Sequence, residues 1–312
     1  MKQTRVQSSG AFWGLRIFYF IRRWRLRSFS FKTFVFIFPL VISHLSLAAF
    51  ACAEAPQRII SLAPNITEIL FALGAEDRVV GVSSFCDYPE AAQQKPRVGG
   101  LSNPSLEAVV SLRPDMVFLT KDGNPKAFEE RLRAMKINTV VLTARKISDL
   151  PDGIRKVGTA VGAAEKAERL AADIEKRIRE YEERGKKFRL LHKTSKKPRA
   201  LFIIWPEPLI VAGPGTTTHE ALTILGTENI AATASAAYPK YSIEEILRRS
   251  PDVIFIGKGN GMDKVADGLL QRLKSVPAVK NKKVFYVSDY LYRLGPRTIQ
   301  GVDELAGHLQ GL

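Results

Sequence analysis

The sequence predicts an α/β fold: two Rossmann-like lobes with parallel sheets, joined by a single long backbone helix, with a ligand cleft between the lobes. Three observations predict it. Short apolar strands alternate with helical segments along most of the 312 residues. The stretch Ser105 to Leu119 recurs position for position as Ser242 to Ile256, each copy reading as helix, Pro-Asp break and apolar strand. Midway between the copies lies one amphipathic run longer than any other.

In chain order, 58–61 reads as a strand and 65–73 as a helix opening with an Asn65–Glu68 capping box and stopping at Gly74. Strands are expected at 79–82, 116–120 and 139–142, with helices at 105–112, 125–135 and 147–161 between or after them. From Glu165 to about Lys187, Ala167, Leu170, Ala171, Ile174, Ile178 and Tyr181 recur at three- and four-residue steps. At 1.5 Å per residue such a helix spans roughly 34 Å, enough to bridge two lobes. Beyond it come strands at 200–204, 253–256 and 284–287 and helices at 219–225, 243–249, 264–275 and 297–310. The expected organisation is a cleaved signal peptide (1–53), a first lobe (54–162), the connecting helix (163–188), a basic linker (189–198) and a second lobe (199–312).

The first fifty residues hold eight of the 47 basic residues and no acid, and lead through the apolar run Phe34 to Phe50 into Ala51-Cys52-Ala53. That order is a secretory signal peptide, so the periplasm is the expected compartment. Cutting before Cys52 would be the geometry of a lipoprotein, but Phe50 is bulky where a lipid signal wants a small residue; lipid anchoring at Cys52 is the lesser alternative. Without the leader, 39 basic residues face 31 acids, about +8. In the basic cluster from Arg184 to Arg199 no aromatic residues alternate with base-reading groups, which argues for a solvated linker and against a nucleic-acid partner. With Cys52 removed, Cys86 stands alone, so no internal disulfide is expected.

The segments Arg58-Ile59-Ile60-Ser61-Leu62-Ala63-Pro64-Asn65-Ile66-Thr67-Glu68 and Gly81 to Pro89, the repeated Ser-x-Glu…Pro-Asp unit, Gly213-Pro214-Gly215-Thr216 and Arg293-Leu294-Gly295-Pro296-Arg297 together resemble the helical-backbone metal-receptor class (class III) of periplasmic substrate-binding proteins. The likeness covers residues 58 to 310 and is strongest to the cobalamin-binding members, through Ser83-Ser84-Phe85-Cys86-Asp87-Tyr88-Pro89. Such receptors serve ABC importers, so the resemblance implies a permease dimer with its ATPase as partner. It also implies cobalamin (vitamin B12 or a related corrinoid) as transported ligand rather than a cofactor held by the protein. The alternative within the class is a ferric siderophore or haem. Membrane contact is expected through the permease or, in the lesser reading, a lipid anchor.

The resemblance also assigns residues. Glu107 and Glu244, at matching places in the two copies, correspond to acids that dock on permease arginines; Ser105 and Ser242 can cap their helices, and Glu245 can close a capping box that leaves Glu244 outward. Phe85 matches a ligand-contacting tyrosine, and Asp289, Tyr290, Leu291, Tyr292 and Arg293 match a cleft segment of the other lobe. Leu101 and Tyr238 stand where cobalamin-binding members carry tryptophans that flank the corrin. Tyr88 and Trp205 complete the ligand candidates, because a flat macrocycle wants aromatic faces and a few directed hydrogen bonds. Arg293 and Arg297 would suit anionic chelates, although Arg297 can also serve the turn before the last helix. No phosphate loop, paired histidines or nucleophile with a spaced base is seen, so no catalytic residue, enzymatic activity or protein-held metal is expected; a secreted α/β enzyme is the distant alternative.

Overall fold

The computed structural model describes residues 54–191, 197–258 and 262–310; the expected leader, with Cys52, and half of the basic linker lie outside them. The first lobe is built on β1 (Ile59–Ser61), β2 (Val79–Val82), β3 (Met116–Thr120) and β4 (Asn138–Leu142), parallel throughout and ordered β2-β1-β3-β4. The helices α1 (Pro64–Ala72), α2 (Glu90–Gln93), α3 (Leu106–Ser111), α4 (Lys126–Ala134) and α5 (Leu150–Ala160) connect or follow the strands. Because β1 and β3 are central and covered on both faces, Ile59, Ile60, Val117 and Phe118 are fully buried.

The connecting helix α6 runs from Ala164 to Leu191, past the expected end, since no glycine or proline breaker follows Gly185 before Pro198. Its apolar stripe is buried at Ala167, Ala171, Ile174, Ile178 and Tyr181. At Gly158 a β-carbon would sit 2.1 Å from that of Ala167, so α5 and α6 cross where both side chains are minimal. One apolar cluster extends from Ile69 and Val157 through Ala171 and Ile178 to Phe202 and Val302, so the lobes share a continuous core through this helix.

The second lobe has β5 (Arg199–Pro206), β6 (Leu209–Val211), α7 (Thr217–Ile224), β7 (Glu228–Asn229), α8 (Ile243–Arg249), β8 (Val253–Gly257), α9 (Met262–Arg272), α10 (Pro277–Lys280), β9 (Val284–Val287) and α11 (Thr298–Leu309). β5, β8 and β9 are parallel, but β6 returns antiparallel along β5 after the turn at Glu207-Pro208, a departure from the wholly parallel sheet expected. β7 pairs with the opposite end of β5 in parallel. Both strands are too short to carry a readable apolar alternation.

The sequence repeat is a structural repeat. Ser105 accepts a hydrogen bond from the Ala108 amide and Ser242 from that of Glu245, at 3.2 and 3.1 Å. Each helix then turns into its strand through a residue in the left-handed region, Arg113 at φ 46° and Ser250 at φ 49°. Asp115 accepts from the Arg58 amide at 3.1 Å and Asp252 from that of Arg199 at 2.7 Å. Those arginines donate back to the helix ends, Arg58 to Leu112 O and Arg199 to Arg249 O. The Pro-Asp motif thus ties the start of the neighbouring strand to the helix terminus, which explains why aspartate stands there twice.

Two expected capping boxes do not form. Pro64 starts α1 a residue early, so Asn65 lies inside the helix, where its amide donates to Leu294 O at 3.3 Å, and Glu68 points to the other lobe. Glu245 pairs with Arg248 and Arg249 instead of reaching back to Ser242.

Candidate functional site

A cavity of about 380 Å³ opens where the carboxyl ends of the first-lobe strands face the second lobe. Pro64 and Asn65 follow β1, Phe85 and Leu101 follow β2, Thr120 to Gly123 end and follow β3, and Leu142 and Ala144 end and follow β4. Tyr292, Arg293 and Leu294 close it from the second lobe, at the end of the 3-10 turn Asp289–Tyr292. Asn124, buried behind it, donates to Leu62 O and Leu101 O and so ties two of these loops together. A larger hollow of about 540 Å³ on the outer flank, lined through Thr139 to Val141 and Lys156, belongs to the first lobe alone.

Two arginines stitch the lobes at the cavity. Arg297 makes a bidentate pair with Glu68, 3.0 and 2.6 Å, with side chains only 13% and 2% exposed. Its guanidinium also lies 3.9 Å from the Tyr88 ring centre and 4.9 Å from that of Tyr290, so a tyrosine of each lobe packs on it. Arg293 binds both oxygens of Asp87, with Nη2–Oδ2 at 3.0 Å, and approaches Asp289 at 3.4 Å. The hydrogen bonds from Arg293 hold the Asp87 carboxyl below the usual carboxylate range, and Asp87 in turn raises the guanidinium. Elsewhere along the seam, the Ile147 amide and the Ser148 hydroxyl of the first lobe donate to Glu220 on α7.

Of the expected ligand residues, Phe85, Leu101, Tyr292 and Arg293 line the cavity together. Phe85 is 55% exposed, leaving much of its ring open beside the cavity. Tyr292 packs edge-on to Phe202, and burial, then Asp289 and the neighbouring Tyr238, push its phenol up. Tyr238 is exposed in the loop before α8, and Trp205 is the penultimate residue of β5, exposed, its indole N–H donating to Glu207 O. Neither lines the cavity. Tyr88 and Tyr290 face Arg297, and Asp289 faces Arg293. The side chain of Leu291 is 2% exposed and belongs to the core against Gly301, because the 3-10 turn directs every third side chain inward; it is not presented to the cleft. The Glu68–Arg297 pair was missed in sequence because Glu68 sits in what reads as a cap; its only signal was an acid in the middle of an apolar helix.

Among the described residues no cluster of histidine, cysteine and acidic side chains could hold a metal ion. His219 bonds Asn229 through Nδ1 at 3.1 Å behind the Gly213–Thr216 turn, whose Thr216 caps α7. Cys86 is buried between Thr67 and Ser83, and burial raises its thiol. Glu107 and Glu244 are both exposed, each in the first turn of its helix. A crossover helix runs antiparallel to the strands it joins, so both acids lie at the cleft-side end of their lobes. Hydrogen bonds from its own amide and from Ser242 hold the Glu244 carboxyl below its ordinary value.

Residues 59–291 match the family model described as periplasmic binding protein. The chain belongs to the periplasmic binding protein family. Relatives of this periplasmic binding protein include the vitamin B12-binding proteins of Pectobacterium atrosepticum, 31% identical over 90% of this chain and 97% of that protein, and of Vibrio parahaemolyticus, 29% identical over 88% and 95%. Among solved structures, the periplasmic vitamin B12 binding protein of Vibrio cholerae superposes with a TM-score of 0.71 at 27% identity, covering 82% of this chain and 98% of that one. A periplasmic heme-binding protein from Roseiflexus gives 0.72 at 29%, with the same coverage. Membership makes the protein a receptor rather than a catalyst, and places it in the periplasm as the substrate-binding part of an importer.

Proposed function

We propose that this receptor captures cobalamin, or a related corrinoid, in the inter-lobe cleft and passes it to the permease of an ABC importer. The observation that carries the choice of ligand is the cavity itself: exposed Phe85 and Tyr292 face a hollow whose rim arginines are already paired with acids, a surface suited to a broad, amide-edged macrocycle without net charge. Repeated likeness to vitamin B12-binding proteins along nearly the whole chain supports it. Haem is the second reading, favoured by the equally good superposition on a heme-binding protein.

Residues 1–53 serve as the export signal in this reading, removed in the mature receptor. Glu107 and Glu244 serve as paired docking acids, one per lobe, for basic residues of the two permease subunits; their exposure and matching helix positions support the role. Calorimetric titration of the mature protein with cyanocobalamin, haemin and ferric siderophores tests the ligand. Heat from cyanocobalamin at micromolar or tighter Kd is the expected result, and heat from haemin or a siderophore alone would sink it.

A further inference from the structure

Three guanidiniums around the cleft, those of Arg297, Arg145 and Arg293, are each met by a carboxylate. Arg297 has Glu68 at its edge and tyrosines within cation-π range. Arg145 holds Asp122, and Lys121, which also lines the cavity, lies near enough to that acid to depress its carboxyl. Arg293, the one arginine among the described residues to line the cavity, is bound by Asp87 from the first lobe and approached by Asp289 from its own turn. Two acids on one guanidinium leave that corner of the cleft with surplus negative charge. We propose that Asp87 is a specificity-determining residue: by occupying Arg293 across the lobes it bars chelates with carboxylate or catecholate edges and leaves the cleft to electroneutral ones.

The physical basis is competition for one cation. A haem propionate reaching Arg293 must displace Asp87, and then sits beside two carboxylates that have lost part of their partner; at these short separations like charges repel strongly even with partial solvent screening. The Arg293 contact keeps Asp87 ionised throughout the neutral range, so the barrier does not lapse there. A corrinoid edged by amides needs no free cation at that point and can take hydrogen bonds from the pair as it stands. Asp87 is exposed at 57% of its side chain, so replacing it leaves the core untouched.

The inference rests on the chelate-receptor reading, and the test separates the two. Wild type, Asp87→Asn, Asp87→Ser and the control Asp77→Asn are titrated with haemin and with cyanocobalamin, with folding followed by circular dichroism. Asp77 is exposed beside the start of β2, away from the cleft, and its variant carries the same change in net charge. The expected result is a fall of at least tenfold in the ratio of haemin Kd to cyanocobalamin Kd in both Asp87 variants, with none in Asp77→Asn. An unchanged ratio in the Asp87 variants, or an equal fall in Asp77→Asn, overturns the proposal. A wild-type preference for haemin sinks the corrinoid assignment by itself, whereas the ratio of variant to wild type reports on Asp87 whichever chelate binds better.

Discussion

Glu68 of the first lobe and Arg297 of the second form a bidentate ion pair that is almost wholly buried, and it joins the lobes at a point the connecting helix does not reach. Removing one member strands the other charge. Arg297→Met is expected to cost about 3–5 kcal/mol, whereas Glu68→Met with Arg297→Met removes both charges and recovers most of that loss. Thermal unfolding checks the stabilities. Small-angle scattering should show wider lobe separation in the double variant even where its stability is normal, since Tyr88 and Tyr290 no longer share a cation between them.

The Asp87–Arg293 contact fixes the acid limit of the seam. Because the folded carboxyl is depressed, its contribution is complete above the unfolded value near 3.9 and is lost as pH falls through the folded one. Ligand affinity should therefore be flat from about pH 5 to 8 and fall below about pH 4. Fluorescence of Trp205, the one tryptophan of the sequence beyond residues 1–53, followed with bound ligand from pH 8 to 3, reads the transition; a loss near pH 6 would point to a different titrating group.

Glu107→Ala combined with Glu244→Ala should abolish uptake while leaving ligand affinity unchanged and lowering the melting temperature only slightly, since both acids are exposed and neither lines the cavity. Growth on limiting corrinoid, set beside calorimetry on the purified variant, separates docking from binding. Undiminished growth would remove the docking role.

Phe85→Ala and Tyr292→Ala should each weaken cyanocobalamin by about tenfold or more, the equivalent of ~1.4 kcal/mol, as aromatic area covered by the ligand is lost. Leu291→Ala separates the cleft from its support. It should lower the melting temperature through a core cavity while changing affinity less than Phe85→Ala does, and titration with melting curves on all three tests the ordering.

Phe118 and Phe255 occupy the same place in the two copies of the repeat, and both are fully buried in the central strands. Each replacement by alanine should cost about 3–5 kcal/mol. Chemical denaturation should find the two costs similar, because the surroundings were duplicated with the residue.

Most strands of both sheets and the connecting helix were legible because each carries its own pattern: residues 116–119 and 253–256 are continuous apolar runs, and the stripe from Ala167 to Tyr181 repeats every three to four residues. β6 and β7 were not, since three and two residues hold no period and are fixed by pairing with β5. In the site, Phe85 was named by its match to a ligand-contacting tyrosine of the family, and it lines the cavity. The role of Glu68 was hidden: its partner is 229 residues away, and local rules assigned it to a cap that Pro64 pre-empts. Leu291 was misplaced for the complementary reason, as a family motif names a segment whereas the 3-10 turn decides which of its side chains face the ligand.

Near its far end α6 meets the second lobe without any side chain between them: a β-carbon at Gly185 would lie 2.0 Å from the carbonyl oxygen of Ile224. The two backbones rest directly on each other, so the thickness of this joint is set by bare peptide. A single added methyl at position 185 would act as a shim under one half of the molecule, tilting it about the rod and changing the jaw gap far away without altering any residue that meets cargo. The bite of this receptor is thus calibrated at a place where it touches nothing it carries.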